Sequence, residues 1–309
     1  NTPEPDLFNN SGGKRERHSN FIIYKNSGRF AFRETAFFIL KTMINAQSIS
    51  ADLAAVRQNN PLVHNITNFV VMNNTANALL AVGASPVMAH ALEEVNDMAA
   101  IASALVLNMG TLNPEWVEAM LQSGQTAKAK GIPVVFDPVG VGATPYRNQA
   151  AAQILAQCRP DIIRGNASEI MALAKENTAT KGVDSTVATN AALNAAQTLA
   201  LKTGAIVVIS GAEDLITNGQ QLIRIKNGAE LMAKVTGMGC TASAILGAFA
   251  AVNQNLFLAA AHGMAVMSIC GERAAKKAAG PGSLQMHFTD ILYQLDEKDI
   301  TDTFIEQQS

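Results

Sequence analysis

From Ser48 onward, hydrophobic positions along the chain follow two alternating rhythms. Short apolar runs stand at Pro61–Ile66, Ala104–Asn108, Ile132–Asp137, Ile162–Arg164 and Ala205–Ser210. Runs this short, bounded by turn residues, predict buried strands. Between them lie longer stretches whose apolar residues return every three or four positions, the period of a helix with one buried face. These predict helices over 48–58, Phe69–Ala81, Leu92–Ile101, 114–130, 148–157, Ala167–Ala174, 189–202, 241–252, 256–277 and 284–296. Asn113 followed by Pro114, with Gly131 at the far end, brackets one of these helices with start and stop signals. Gly83–Met88 reads as a turn and a short extended piece, and Asn218-Gly219 joins two short strands, Leu215–Thr217 and Gln221–Ile225, in a hairpin. Strands alternating with helices predict an α/β fold, a mostly parallel central sheet with helices on both faces.

Residues 1–47 break the rhythm. They hold seven Lys or Arg against four Asp or Glu and show no steady period. We expect a poorly ordered extension there and one domain over 48–309.

Composition narrows the field. With 48% hydrophobic and 16% charged residues, the chain of 309 has ample material for a buried core. A formal net charge of −2 offers no strong field toward nucleic acid or a membrane surface. Cys158, Cys240 and Cys270 are odd in number and widely spaced, which argues against a disulfide framework and suits a reducing cytoplasm. No apolar run reaches the roughly 18 residues of a membrane span.

In open parallel sheets ligands bind beyond the carboxyl ends of the strands. Here those ends carry Asn68, Asp137, Arg164 with Glu169 shortly after, and Ser210. The stretch 235–244, VTGMGCTASA, adds a glycine turn before a helix of small residues. Such a turn aims unpaired N–H groups and the positive end of a helix dipole at one point, an anion site. Cys240 stands at its mouth. Plainer readings exist for each residue: Cys240 as small core filler, Glu169 as a first-turn acid with Asn166 as its cap, Arg164 in an ion pair with Asp161 or Glu169, and Asn68 as a helix cap. Neither a GxxxxGK[ST] loop nor an early GxGxxG is present.

Taken together, HNITN (64–68), NALLAVGASPVM (77–88), DPVGVGAT (137–144), IRGNASEI (163–170), TGMGCTASA (236–244) and GPGS (280–283) resemble the hydroxyethylthiazole kinase family from about Leu53 to about Leu295. The resemblance implies a ribokinase-like fold. It implies ATP- and Mg2+-dependent phosphorylation of the primary alcohol of 4-methyl-5-(2-hydroxyethyl)thiazole in thiamin salvage. It also implies a homotrimer with active sites at the subunit interfaces. By the same resemblance, Cys240 is catalytic, Met88 and Gly237 contact the thiazole, Arg164 and Ser210 contact ATP, and Glu169 organises the metal. The residues themselves add Gly239 as a catalytic N–H donor, Asn68 past its strand as a thiazole contact, and Asp137 as the second carboxylate a magnesium ion can use. Cys240 stands where wider ribokinase-like relatives carry aspartate, and Ser210 where threonine is more frequent. The rival expectations are another ribokinase-like kinase or dehydratase, and a binding relative without turnover.

Overall fold

Helix α1 (Ala46–Asn59) opens the fold two residues before the expected start, because Asn45 and Ser48 cap it reciprocally. Asn45 Oδ1 accepts from the Ser48 N–H at 2.8 Å, and Ser48 Oγ accepts from the Asn45 N–H at 3.2 Å. The computed structural model describes residues 44–175 and 185–305, within a unit spanning Thr42–Ser309. Most of the expected extension therefore lies outside the described residues.

Next come β1 (Leu62–Ile66), α2 (Met72–Val82), β2 (Ser85–Val87), α3 (Val95–Ile101), β3 (Ala104–Asn108), α4 (Pro114–Lys130), β4 (Val134–Asp137), α5 (Pro145–Cys158), β5 (Ile162–Asn166) and α6 (Ala167–Lys175). The chain continues with α7 (Ser185–Thr203), β6 (Ile206–Ser210), β7 (Asp214–Thr217), β8 (Leu222–Ile225), α8 (Met238–Ala250), α9 (Leu256–Lys277), α10 (Pro281–Gln294) and α11 (Glu297–Thr303). Helices α2 and α3 start three residues later than expected, behind turns at 69–71 and 92–94. Helix α5 starts three residues earlier, where Thr144 Oγ1 accepts from the Arg147 N–H and Pro145 takes the first position.

The eight strands form one sheet in the order β2-β1-β3-β4-β5-β6-β7-β8. From β2 to β6 in that order neighbouring strands pair parallel, while β7 pairs antiparallel with β6 and β8 antiparallel with β7. Strand alternation assigns side chains to two layers. Leu105, Leu107, Val134, Phe136 and Ile163 join the core under α4, α5 and α7. Val106, Val135 and Ile162 join the core under α1, α2, α8, α9 and α10. By the same alternation Asn108, Asp137 and Arg164, at or near the strand ends, turn toward the α8 layer.

Side-chain ties bind α1 to that layer. Arg57 donates to the carbonyls of Leu292, Tyr293 and Leu295 at 3.1, 3.0 and 2.8 Å, where α10 ends. Asp52 Oδ2 accepts from His262 Nδ1 at 2.5 Å and from Asn253 Nδ2 at 2.7 Å.

Candidate active site

The anion turn differs in detail from its sequence-based expectation. A short 3-10 turn, Glu230–Lys234, precedes it, and only Val235 is extended. Gly237 takes the left-handed conformation, φ 82°, and α8 begins at Met238 rather than Thr241. The first helical bond is Thr241 N to Gly237 O at 2.8 Å. The N–H groups of Met238, Gly239 and Cys240 therefore precede the hydrogen-bonded ladder, and they are the unpaired donors of the helix mouth. A side chain at position 237 would meet Val71 Cγ1 at 2.6 Å, and one at 239 would meet Arg164 Nη1 at 2.5 Å. Glycine is thus required at both positions, for backbone conformation at the first and for close approach at both.

Beneath this mouth lies a continuous polar network. Asn68 Nδ2 stands 3.5 Å from Cys240 Sγ and donates to Asn108 Oδ1 at 2.9 Å. Asn108 Nδ2 donates to Asp137 Oδ2 at 2.9 Å, its neighbour in the β3–β4 register. Ser243 Oγ, from the same helix as Cys240, donates to that oxygen at 2.7 Å. Arg164 Nη1 is 3.6 Å from it, and Arg164 Nη2 donates to Ser210 Oγ. Six of the expected residues, Asn68, Asp137, Arg164, Ser210, Gly239 and Cys240, thus meet at one rim, with Gly237 at the turn. Among the described residues, two buried atoms at the centre have no partner: Asp137 Oδ1 and Arg164 Nε. Buried polar groups without partners are costly, and at a cleft they mark where a ligand completes the set.

Glu169 closes the rim on the far side. Its Oε1 accepts from the Gly140 N–H at 2.9 Å and its Oε2 from the Asn166 N–H at 2.8 Å, while Asn166 Oδ1 accepts from the Glu169 N–H at 2.9 Å. This reciprocal cap fixes the start of α6. Each carboxylate oxygen retains acceptor capacity. Among the described residues no group of three or more His, Cys, Asp or Glu is arranged to hold a metal directly.

Electrostatics set the protonation states. Burial pushes the Asp137 carboxyl above the usual range, opposed by the Arg164 guanidinium and the Ser243 hydroxyl and reinforced by the Glu169 charge. Burial first, then the Asp137 charge, raise the Cys240 thiol, against the amides of Asn108 and Asn68. The net shift is upward, which favours the protonated thiol at neutral pH.

Met88 lies apart from the network, after the edge strand β2. Two histidines fasten its loop to the end of β1. His64 Nε2 bonds the Ala89 carbonyl at 2.9 Å, and His90 Nε2 accepts from the Thr67 N–H at 3.4 Å. His90 stacks on Trp116, with ring centroids 4.3 Å apart. Burial holds both imidazoles below their ordinary pKa, so both act neutral. Sequence reasoning passed over Asn108, Ser243 and Arg147. Arg147 donates to the carbonyls of Val139 at 2.6 Å and Gly110 at 3.0 Å, and also to Met109, tying the β3 and β4 loops together. The signal for Asn108 was a polar residue ending an all-apolar strand.

Beside Arg164, Ser210 and Gly239 opens a cleft of about 610 Å3, lined also by Asp214, Met232, Met264 and Met267. A mostly parallel sheet, a helix mouth of unpaired N–H groups, and an arginine and a carboxylate at one rim suit a phosphoryl-transfer enzyme. The comparisons agree with that class and go further. The hydroxyethylthiazole kinase family model matches residues 53–298. The hydroxyethylthiazole kinase of Syntrophus aciditrophicus is 55% identical over 258 residues, 83% of this chain and 96% of its own. That of Leptospira biflexa is 54% identical over 244 residues, 79% and 91% of the two chains. The solved hydroxyethylthiazole kinase structure from Pyrococcus horikoshii is 39% identical, covers 85% of this chain and 99% of that one, and gives a TM-score of 0.78. The chain belongs to the hydroxyethylthiazole kinase family.

Proposed function

We propose that this enzyme transfers the γ-phosphoryl group of ATP to the primary alcohol of 4-methyl-5-(2-hydroxyethyl)thiazole. The observation that carries this reading is the pairing of Asp137 and Arg164, each with an unpartnered buried atom, beneath the free N–H groups at the start of α8. Phosphoryl transfer asks chiefly for positioning and charge stabilisation. In this proposal Gly239 and its neighbours offer N–H groups to the moving phosphoryl group, and Arg164, steadied by Ser210, holds a phosphate oxygen pair. Asn68 and Cys240 border the acceptor hydroxyl. With its raised pKa the thiol shapes and polarises this position, and a late-departing alcohol proton needs no strong base there. Gly237 and Met88 complete the acceptor wall.

Magnesium fits the donor set. Asp137 Oδ1 is free of partners among the described residues, Glu169 has acceptor capacity left, and magnesium keeps most of its own water. Bound with the triphosphate, it would neutralise phosphate charge.

We further propose a homotrimer with sites completed at subunit contacts, in the cytoplasm. Its support is the exposed apolar side chains of Phe69, Val70 and Leu80, 64%, 66% and 59% exposed, beginning one residue after Asn68. Among the described residues no helix is long and apolar enough to cross a membrane. Coupled ADP release with and without the thiazole alcohol tests the central reading. Release that depends on the alcohol and on magnesium supports it, and release indifferent to the alcohol defeats it.

A further inference from the structure

We propose that the Asp214 carboxylate binds the ribose hydroxyls of the nucleotide in the cleft beside α8. The inference rests on the phosphoryl-transfer reading and assigns the sugar a partner.

Position supports it first. The antiparallel register pairs Ile209 with Leu215, so Ser210 and Asp214 are the next facing residues across the β6–β7 turn. Ser210 touches the Arg164 guanidinium, which marks the phosphate end of the cleft. One strand spacing further, roughly 5 Å, stands Asp214. The same cleft is lined by the side chains of Met232, Met264 and Met267. Polarizable thioethers suit the flat face of a base. Asp214 thus stands beside the phosphate end of a cleft that also offers an apolar wall for a base, and the sugar joins those two parts of a nucleotide.

Chemistry supports it second. Asp214 Oδ1 accepts from the Gly211 N–H at 3.1 Å and Oδ2 from Ser268 Oγ at 2.9 Å. Each oxygen keeps a lone pair, and the residue lines the cleft although only 6% exposed. Those two protein bonds do not require a charge, since an asparagine would serve the Gly211 N–H equally. A buried carboxylate is nonetheless costly in that wall, and burial raises its pKa to about 6. Ribose supplies the missing return: two adjacent hydroxyl donors suited to one carboxylate, the pairing used by other nucleotide sites.

Calorimetry of ADP, 2′-deoxyADP and 3′-deoxyADP with the whole chain tests it at pH 8. Wild type should bind ADP about tenfold more tightly than at least one deoxy analogue, as expected for a hydrogen bond to a charged group. In Asp214→Asn the ratio should fall to about one, chiefly through weaker ADP binding. Ser268→Ala keeps the carboxylate and should keep the wild-type ratio, which controls for damage to the turn. Equal binding of all three nucleotides by wild type, or an unchanged ratio in Asp214→Asn, overturns the ribose assignment and leaves the kinase reading standing. Absence of ADP binding to wild type removes both.

Discussion

At the scale of single residues, Cys240 carries the sharpest chemical expectation. Its raised pKa separates it from an aspartate at the same position, which would be a ready proton acceptor. Cys240→Ala should lower kcat by about tenfold, short of the loss expected for a true general base, and leave the KM for ATP unchanged. Cys240→Asp should match or exceed wild type. A change in ATP affinity in either variant, measured by steady-state kinetics, would move Cys240 to a nucleotide role. Gly239→Ala drives a methyl into Arg164 Nη1, and kcat/KM should fall by roughly 100-fold with the melting temperature little altered.

Asp214 gives a pH signature. Its folded pKa, about 6, lies above the ordinary 3.8, so the native state binds this proton more readily than the unfolded chain. Stability from this group is greatest below pH 4 and is lost as pH rises through 6. The loss approaches roughly 3 kcal/mol at about 1.4 kcal/mol per unit. The melting temperature of Asp214→Asn relative to wild type should therefore climb between pH 4 and pH 7.5, and a flat difference would contradict it. Asn68, Asp137, Arg164 and Ser210 were legible in the sequence because they stand at or just past strand ends, and Cys240 because it stands in the glycine turn. Asn108 was passed over although it too ends a strand, while Ser243, a hydroxyl inside a small-residue helix, and Arg147, a surface-looking helix residue, announce nothing until the fold brings them beside Asp137 or a loop carbonyl.

At the scale of elements, local signals worked where the backbone chemistry is local. Asn113-Pro114 and Gly131 bracket α4 as expected. Thr144-Pro145 carried the same kind of signal and was passed over. The 3-10 turn at Glu230–Lys234 was not anticipated, because five residues are too few to show a period. The contacts that hold α1 were invisible, since Arg57 and Leu295 lie far apart in sequence. Arg57→Ala leaves three carbonyls without that donor and should destabilise the fold by about 2 kcal/mol, lowering the melting temperature by several degrees. The Asp52 carboxyl is held below its ordinary pKa: burial opposes this, but hydrogen bonds from His262 and Asn253 outweigh it. That contribution is present above pH 4 and fades as pH falls through the lowered value. Asp52→Asn should be less stable than wild type at pH 7, with the gap narrowing as pH falls below 4, by thermal melts across that range.

At the scale of the whole molecule, alternating strands and helices announced a parallel sheet, but not its order. Placing β1 between β2 and β3 requires long-range pairing that no local pattern encodes. The proposed assembly rests on the exposed side chains of Phe69, Val70 and Leu80. Light scattering at micromolar concentration should give three times the 32.6 kDa chain mass, and Phe69→Glu should shift it toward the monomer with loss of turnover. A wild-type monomer with full activity would end the proposal of shared sites.

The contact between Val71 and Gly237 has a mechanical consequence. The segment following Asn68 and the entrance to α8 lie so close that a methyl at 237 would meet Val71 Cγ1 at 2.6 Å. We expect pressure on the first to reach the second, as in one jaw rather than two. Trimming Val71 to alanine would put play into that joint, and the amide protons of 237–240 should then exchange with deuterium faster even though none of them has been altered.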